Sequence, residues 1–544
     1  MKITFKKLFF LFFVIILIFS SCFSPWRGDE AVIIINLGGG GNGRAAAWPP
    51  VESGVLGQLD YKVTLSSGAD SRLLTASGAE TITASVTPGL WNVEIEAYYD
   101  EIPFATGSNS VDVIAGQDNH VTVEMDKTDV TFFVAAGADD WDEAVALIND
   151  GRDESFVIIV NGSFTTTKRL SLSIPCNVII RGNNNAITLF SGDTIDPHVD
   201  SLIYITNYID DEQAVVTMRD LKLVGHSLNN TALVSVVGGT FIMEGSASVS
   251  GNTNGEWGLG GGVYISGGGT FIMKDNASVS DNSIANFGGG VYVESGAFIM
   301  EGGSIIKNEA INGGGVYVGG GTFTMKGGTV ADNTAGSNGG GVFVSGSAFT
   351  MKNYASVTGN TADINGGGVY FTSEAVDIKF TMEDNASVTG NTAASSGGGI
   401  YLNGGILNMQ GNASIAGGNK AVSGGGVYLG VNTFNMYENS SVSGNIASSY
   451  GGGVYVSYSG TFRIVAGTVY GSENSIAVSL QNTITEMAPN RGAALYKDAA
   501  GTAEHGTYTG TNNSWVGTSF STSTSSDPYT QETTIKVTNG ALQQ

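Results

Sequence analysis

Acidic side chains that recur along a repetitive part of the chain are the first candidates for catalysis. Two carboxylates about 5–9.5 Å apart can hydrolyse a glycosidic bond, and stacked repeats could bring together Asp275, Asp281, Asp332 and Asp384. These residues stand at different positions of the repeat, as solvated turn residues would, and no His or Arg clusters with them. A unique active site is expected to interrupt a regular pattern. We therefore expect no catalytic residues here, and keep a β-helix polysaccharide lyase or glycoside hydrolase as the alternative.

The stretch 181–232 departs most from the repeat and is the best remaining place for catalysis. Its ionisable residues are Asp193, Asp196, His198, Asp200, Asp210, Asp211, Arg219 and Asp220. The four histidines of the chain are never paired at ligand spacing, and two cysteines, Cys22 and Cys176, cannot build a Cys-based zinc site. We expect neither a metal nor a cofactor. The net charge of −25 repels phosphate backbones, so a nucleic-acid partner is not expected.

A row of aromatic residues is the candidate binding site. One aromatic follows each of eight triple-glycine boxes, separated from it by Val or Ile: Tyr264, Tyr292, Tyr317, Phe343, Tyr370, Tyr401, Tyr428 and Tyr455. Strand alternation predicts that they point outward and stack into a stripe. The stripe is either a structural ladder, stabilised by ring contacts and partly covered by a turn, or a platform for sugar rings or a host protein. Exposed aromatics otherwise reduce solubility.

The glycine boxes mark a repeat of about 27 residues. They occupy 260–262, 288–290, 313–315, 339–341, 366–368, 397–399, 424–426 and 451–453. Seven of the eight boxes are followed by Phe-x-Met or Leu-x-Met, as in Phe271 and Met273, and most periods carry Ala-Ser-Val or a close variant. Three short strands separated by turns form one coil of a solenoid. The pattern predicts a right-handed parallel β-helix, with Phe and Met inside.

Two polar features of the repeat have structural explanations. The glycines suit corners that require positive φ or lack room for a Cβ atom. An asparagine recurs once per period and predicts a ladder in which each amide bonds the next. The ladder would contain Asn252, Asn282, Asn308, Asn333, Asn360, Asn391, Asn419 and Asn445. A calcium-binding glycine-rich coil would need Asp after the glycines, where this chain has Val-Tyr.

The regions around the repeat predict four further segments. Strand-like pieces at 31–37, 59–66, 81–86, 90–97, 110–114 and 120–125 predict a small antiparallel, immunoglobulin-like or prealbumin-like β-sandwich over 23–126. A short helix, with Asp140 and Glu143 at its N-terminal cap and Trp141 on its apolar face, is expected to cover the first coil within 127–150. The β-helix is placed at 151–480. A degenerate coil, a C-terminal cap and a Ser/Thr-rich tail are placed at 481–544.

The first 22 residues have the features of a targeting segment. Lys2, Lys6 and Lys7 precede an apolar run of twelve residues, 8–19, which suits a signal peptide better than a membrane span. Ser20-Ser21-Cys22 resembles a bacterial lipobox, which implies a lipid on Cys22. Phe23 after the cysteine favours the outer membrane, by analogy with lipoprotein sorting. An ordinary secretory signal is the alternative.

The repeat itself resembles a known group. Gly-Gly-x-Val/Ile-Tyr with Gly-Asn-Thr-Ala, at 359–362 and 390–393, is similar to the repeats of chlamydial polymorphic outer membrane proteins, which are β-helical adhesins. The repeat also looks like lipid-anchored β-helix proteins of spirochaetes. The resemblance covers roughly residues 230–475. Polymorphic membrane proteins end in a translocator barrel, whereas this chain ends in a polar segment at 507–526, so we do not expect autotransport.

These observations predict a surface-exposed lipoprotein of a bacterial envelope. We expect a non-catalytic, monomeric rod that is held at the membrane by its lipid and binds a glycan or a host surface protein. The lyase or hydrolase is one alternative, and a purely structural or antigenic envelope protein is another.

Overall fold

The chain forms two compact units, Met1–Val130 and Thr131–Gln544. The computed structural model describes residues 31–36, 59–78, 81–99, 102–127, 130–150, 155–173, 175–189, 201–206, 213–227, 229–254, 258–472, 481–484, 493–497, 502–509, 514–519, 529–531, 535–538 and 541–543. The signal segment with Cys22 therefore lies outside the described residues.

The first unit contains two sheets. Three strands form one sheet, with Ala31–Asn36 antiparallel to Thr81–Val86 and parallel to Asp118–Val121. The other sheet is antiparallel and contains, in spatial order, Asp70–Ser77, Leu59–Ser67, Gly89–Tyr99, Ile102–Val113 and Asp126–Lys127. Trp91, Val93, Ile95 and Ala97 alternate with exposed residues and are buried, as the sequence predicts. Asp70–Ser77 is a strand that the sequence pattern did not indicate, because most of its side chains are exposed on both faces.

Among the described residues before the first coil, one helix is present, α1 (Ala138–Asn149). Trp141, Ala144, Val145 and Ile148 are buried along one face, as predicted. The predicted cap was wrong: Gly137 is the N-cap residue, and Asp140 is the third helical residue, whose carboxylate accepts from the backbone N–H of Gly137 at 3.2 Å. This contact occupies an otherwise unpaired N–H group of the helix start.

The second unit is a parallel β-solenoid with three sheets. From Val234 to Ala393 each coil has four short strands rather than the predicted three, because a strand that was not predicted follows the asparagine and lies in the sheet called sheet III here. The residues after the glycine box and Phe-x-Met form the two strands that each coil contributes to the sheet called sheet I. In three coils these two strands join into one: Ile400–Met409, Val427–Met436 and Val454–Ile464. Sheet II contributes one strand per coil from Phe164 onwards, and sheet III contributes one per coil from Thr253 onwards. A strand at Val130–Ala135 precedes α1.

Parallel pairing of each strand with its copy in the next coil builds all three sheets. In the first ladder of sheet I the strands are Leu170–Leu172, Ile203–Ile205, Val234–Val236, Val263–Ile265, Val291–Val293, Val316–Val318, Val342–Ser345 and Val369–Thr372. In its second ladder they are Ser155–Val160, Asn177–Arg181, Val215–Arg219, Thr240–Glu244, Thr270–Met273, Ala297–Met300, Thr322–Met325, Ala348–Met351 and Lys379–Met382.

Sheets II and III follow along each coil. Sheet II contains Phe164–Thr166, Ala186–Leu189, Lys222–Val224, Ser248–Ser250, Ser278–Ser280, Ser304–Ile306, Thr329–Ala331, Ser356–Thr358, Ser387–Thr389, Ser414–Ala416, Ser441–Val442 and Gly467–Val469. Sheet III contains Thr253–Asn254, Ser283–Ile284, Glu309–Asn312, Thr334–Asn338, Thr361–Ala362, Thr392–Ala393, Lys420–Ser423, Ile446–Tyr450 and Thr483–Ile484.

The core consists of stacked copies of the same side chains. Phe298 packs on Phe323 with centroids 4.6 Å apart, and Phe323 packs on Phe349 at 4.9 Å. Met300 and Met325 are completely buried beside them. The spacing matches the separation of adjacent strands, about 4.8 Å, so the predicted inward direction of Phe and Met is confirmed.

Antiparallel strands end the solenoid. Leu495–Lys497 continues sheet I in parallel, with Tyr496 opposite Tyr455, which agrees with a degenerate copy of the repeat. Tyr529–Gln531 then pairs antiparallel to Leu495–Lys497, and Ser514–Ser519 pairs antiparallel to Thr502–Thr509. In sheet II, Ile535–Thr538 pairs antiparallel to Gly467–Val469 and to Ala541–Gln543.

Candidate functional site

Each glycine box is the corner that places an aromatic residue on the outer surface. In the box 339–341, Gly339 has a φ of +68°, which L side chains rarely adopt. A Cβ on Gly340 would lie 2.4 Å from the carbonyl oxygen of Gly367 in the next coil, and one on Gly341 would lie 2.9 Å from the side-chain nitrogen of Asn360. Gly339 is therefore favoured by its backbone conformation, whereas Gly340 and Gly341 are required by close contacts between coils, since a Cβ on Gly341 would also lie 2.7 Å from the carbonyl oxygen of Gly368.

The asparagine ladder lies under the glycine boxes and is buried throughout. The side-chain nitrogen of Asn360 donates to Oδ1 of Asn391 at 2.9 Å and to the carbonyl oxygen of Val330 at 3.0 Å. The backbone N–H of Asn360 donates to the same Oδ1 of Asn391. The ladder extends beyond the predicted set to Asn229 and Asn482, which are also buried. Neither has a glycine box in its own coil, which is why the motif did not reveal them.

The aromatic row lies on the outward face of sheet I, next to the glycine corner. Its rings are half-buried, and each alternates with two buried residues, as in Val369, Tyr370 and Phe371. From Tyr317 to Tyr455 the rings stack face to face, with centroids 4.7–5.0 Å apart and interplanar angles of 4–13°. Tyr264 and Tyr292 are tilted instead. The expected outward stripe is therefore present.

Stacking determines which part of each ring meets solvent. From Phe343 to Tyr428 both faces of a ring contact its neighbours, so its edge and, for Tyr, its hydroxyl point outward. Burial raises the pKa of Tyr401 to about 12, with a smaller contribution from the adjacent tyrosines. Burial also raises the pKa of Tyr264 and of Tyr292 to about 12, and Glu294 reinforces both. The row is thus an uncharged surface of ring edges and neutral hydroxyls at physiological pH.

Two further rows run beside the aromatic row. The corner row contains the residue before each box: Leu259, Phe287, Asn312, Asn338, Asn365, Ser396, Ser423 and Tyr450. The outer row contains the second residue after each aromatic: Ser266, Glu294, Gly319, Ser345, Thr372, Asn403, Gly430 and Ser457. We call the three rows together the strip. Contacts connect them, since Phe287 lies 4.6 Å from Tyr317 between centroids and Tyr264 donates to Glu294.

The recurrent carboxylates are turn residues. Asp275, Asp281, Asp332 and Asp384 all have φ between +51° and +56°, a region that Asp tolerates better than most residues. The carboxylate of Asp275 accepts from the backbone N–H of Gly245, and that of Asp384 accepts from the backbone N–H of Asn353. Asp275 and Asp384 therefore connect the turns of adjacent coils.

Most ionisable residues of the irregular stretch lie outside the described residues: Asp193, Asp196, His198, Asp200, Asp210 and Asp211. Arg219 and Asp220 are described and lie 3.9 Å apart, and Arg219 lies 4.0 Å from Glu244. Partial burial raises the pKa of Asp220, but hydrogen bonds from Ser246 and the guanidinium groups of Arg219 and Arg181 outweigh it and leave the pKa below its usual value. Asp220 is thus an ionised acceptor at neutral pH and a poor proton donor.

Cys176 is buried and forms no disulfide. Among the described residues, no group of three or more His, Cys, Asp or Glu side chains is arranged to hold a metal ion. Within the same part of the chain, no helix combines the length and apolar character that crossing a bilayer requires. Comparison with protein-family models, curated proteins and solved structures gave no match to this chain.

Proposed function

We propose that this chain is a lipid-anchored, surface-displayed binding protein, in which the solenoid presents the aromatic row to a partner and carries out no catalysis. The observation that carries the proposal is the continuity of the row over eight successive coils. Folding of the solenoid does not by itself require an aromatic residue at this outward position in every coil. The first outward position of sheet II is Ser or Thr in the same coils, as at Ser356 and Ser387, and these coils stack equally well.

A triple variant, Tyr370→Ser, Tyr401→Ser and Tyr428→Ser, tests the role of the row. The matched control changes outward residues of sheet II in nearby coils: Ser356→Ala, Ser387→Ala and Ser414→Ala. Both proteins are checked for folding by circular dichroism and then applied to glycan and matrix-protein arrays. We expect the tyrosine variant to lose binding and the control to retain it. Unchanged binding by a folded tyrosine variant would reject the proposal and favour a purely structural row.

The non-catalytic part of the proposal is supported by the turn conformations of Asp275, Asp281, Asp332 and Asp384 and by the backbone contacts of Asp275 and Asp384. Incubation with a panel of uronates and neutral glycans checks it directly. New reducing ends or unsaturated products from the purified chain would make a lyase or hydrolase the better explanation.

The anchor is tested by Cys22→Ser. Expressed in a bacterium, the wild-type chain is expected to incorporate labelled fatty acid and to sediment with membranes. The variant is expected to lose both properties. Membrane association without label in the wild-type chain would contradict lipidation at Cys22.

A further inference from the structure

Exposed apolar side chains gather at the corner beside the aromatic row. Leu259, Phe287, Ile311, Ile364 and Val422 are between 36% and 48% exposed, and each stands one or two residues before a glycine box. Five of the eight corners between sheets III and I thus carry an apolar side chain that is partly exposed. Clustered exposed apolar side chains mark contact surfaces for other macromolecules.

The ring geometry disfavours a sugar chain. Sugars bind aromatic residues by laying C–H bonds on the negative face of a ring. From Phe343 to Tyr428 both ring faces are covered by neighbours at 4.7–5.0 Å, so a chain lying along the row meets only edges and hydroxyls. The main apolar contribution to glycan affinity is therefore missing along most of the strip.

The composition of the strip fits a protein partner. Every position is Tyr, Ser, Gly or Asn except Leu259, Phe287, Glu294, Phe343 and Thr372. These four residue types dominate antibody paratopes, where Tyr offers rigid amphipathic area and Ser, Gly and Asn offer adaptable hydrogen bonds. Glu294 is the only charged member, and depletion of charge is characteristic of the centre of a protein interface.

The dimensions also suit a protein. Seven steps between eight coils, at about 4.8 Å each, give a strip roughly 34 Å long. A standard interface buries about 800 Å² per partner, which corresponds to a patch about 32 Å across. The stacked rings are already ordered in the coil, so little side-chain freedom is lost on binding.

We infer that the strip, together with the exposed Ile311, Ile364 and Val422 at its edge, docks onto an uncharged patch of a folded protein. The partner then contacts several coils along the solenoid axis. The inference rests on the proposed binding function and names its partner class. The net charge of −25 repels acidic proteins, so the partner carries a positive or near-zero net charge.

The test uses the full chain and a corner variant, Ile311→Ser, Ile364→Ser and Val422→Ser, which leaves every ring in place. Purified matrix proteins are arrayed untreated, enzymatically deglycosylated, or digested with protease, beside an array of free glycans. We expect binding to at least one untreated and deglycosylated protein, loss after proteolysis, and at least tenfold weaker binding by the corner variant. The sheet II control variant described above is expected to bind as the wild type does.

Other outcomes separate the two proposals. Binding that disappears on deglycosylation, or that occurs only on free glycans, overturns the protein partner but leaves the aromatic row as a binding site. Protein binding that the corner variant retains overturns the inference as well. A wild-type dimer that the corner variant dissociates assigns the strip to a second copy and overturns a foreign partner. Absence of binding on every array counts against both proposals.

Discussion

The side-chain nitrogen of Asn333 and the backbone N–H of the same residue both donate to Oδ1 of Asn360, each at 3.0 Å. One oxygen thus holds two donors of the preceding coil, and the same arrangement recurs for Asn308 and Asn333. Because all of these groups are buried, no water is available to replace a missing partner. The buried hydrogen bonds of each coil are therefore complete only when the next coil is folded against it.

Asn333→Ala is expected to destabilise the solenoid by about 3 kcal/mol. The substitution removes the acceptor of the backbone N–H of Asn308 and of one of its two side-chain N–H groups, while the other keeps its bond to the carbonyl oxygen of Val279. It also removes the side-chain donor to the carbonyl oxygen of Ile305. Asn385→Ala, at an exposed turn, is the matched control and is expected to cost less than about 0.5 kcal/mol. Urea unfolding followed by circular dichroism measures both. Equal midpoints for the two variants would mean that the ladder contributes little.

Gly340→Ala is expected to cost about 3 kcal/mol or to prevent folding. Its Cβ would lie 2.4 Å from the carbonyl oxygens of Gly367 and Thr361, so backbone of two strands must move. Gly336→Ala in the same coil is the control, since its Cβ meets nothing closer than 4.0 Å. Thermal melting distinguishes them, and a Gly340→Ala protein that melts like Gly336→Ala would show that the coils can separate freely.

Phe349→Ala is expected to lower stability by about 3–5 kcal/mol. The ring is fully buried between Phe323 and Phe380, at 4.9 and 4.7 Å between centroids, and its removal leaves a cavity in the stack. Thr350→Ala changes the adjacent, outward residue and is expected to cost less than about 0.5 kcal/mol. Denaturant midpoints of the two variants are compared. A small loss for Phe349→Ala would indicate that neighbouring methionines refill the space.

Five tyrosines of the aromatic row, Tyr264, Tyr292, Tyr317, Tyr370 and Tyr401, are expected to ionise at a higher pH in the folded chain than in the unfolded chain, because their pKa values are raised. Burial raises the pKa of Tyr401 to about 12 in the folded chain, above the unfolded value near 10. The neutral phenol therefore stabilises the fold fully below pH 10, and this contribution is lost as the pH rises towards 12. Phenolate absorbance of native and denatured protein measures the difference, with Tyr401→Phe removing one late-titrating group. Coincident native and denatured curves would contradict the burial of the row.

Much of the solenoid could be predicted from the sequence because one residue pattern repeats in register. Phe271 and Met273 flank a variable residue, and such alternation determines the inward face. The outward direction of Tyr292 follows from the same rule. The asparagine position was recognisable because a buried polar residue must recur at the same place to find its partner.

Features that depend on contacts between coils were less predictable. The strand of sheet III in each coil was missed because in several coils it contains only two residues, as at Thr361–Ala362 and Thr392–Ala393, which are too few to show an alternating pattern. Asn482 lies beyond the last regular coil, and only its bond to Asn445 identifies it. The face-to-face stacking of the rings depends on the χ angles of their side chains, which the periodicity of a sequence does not encode. The sequence therefore did not predict that the strip presents ring edges rather than ring faces.

The one-way direction of the asparagine ladder has a consequence for how such a chain can vary in length. From Asn282 to Asn445, the side-chain amide of every ladder asparagine donates to Oδ1 of the next asparagine on its C-terminal side. If one whole period is removed, the amide of one ladder asparagine still meets the Oδ1 of another. If only part of a period is removed, the two asparagines no longer face each other and neither group has its partner. The solenoid can therefore gain or lose length in steps of one whole coil, and each step changes its length by about 4.8 Å.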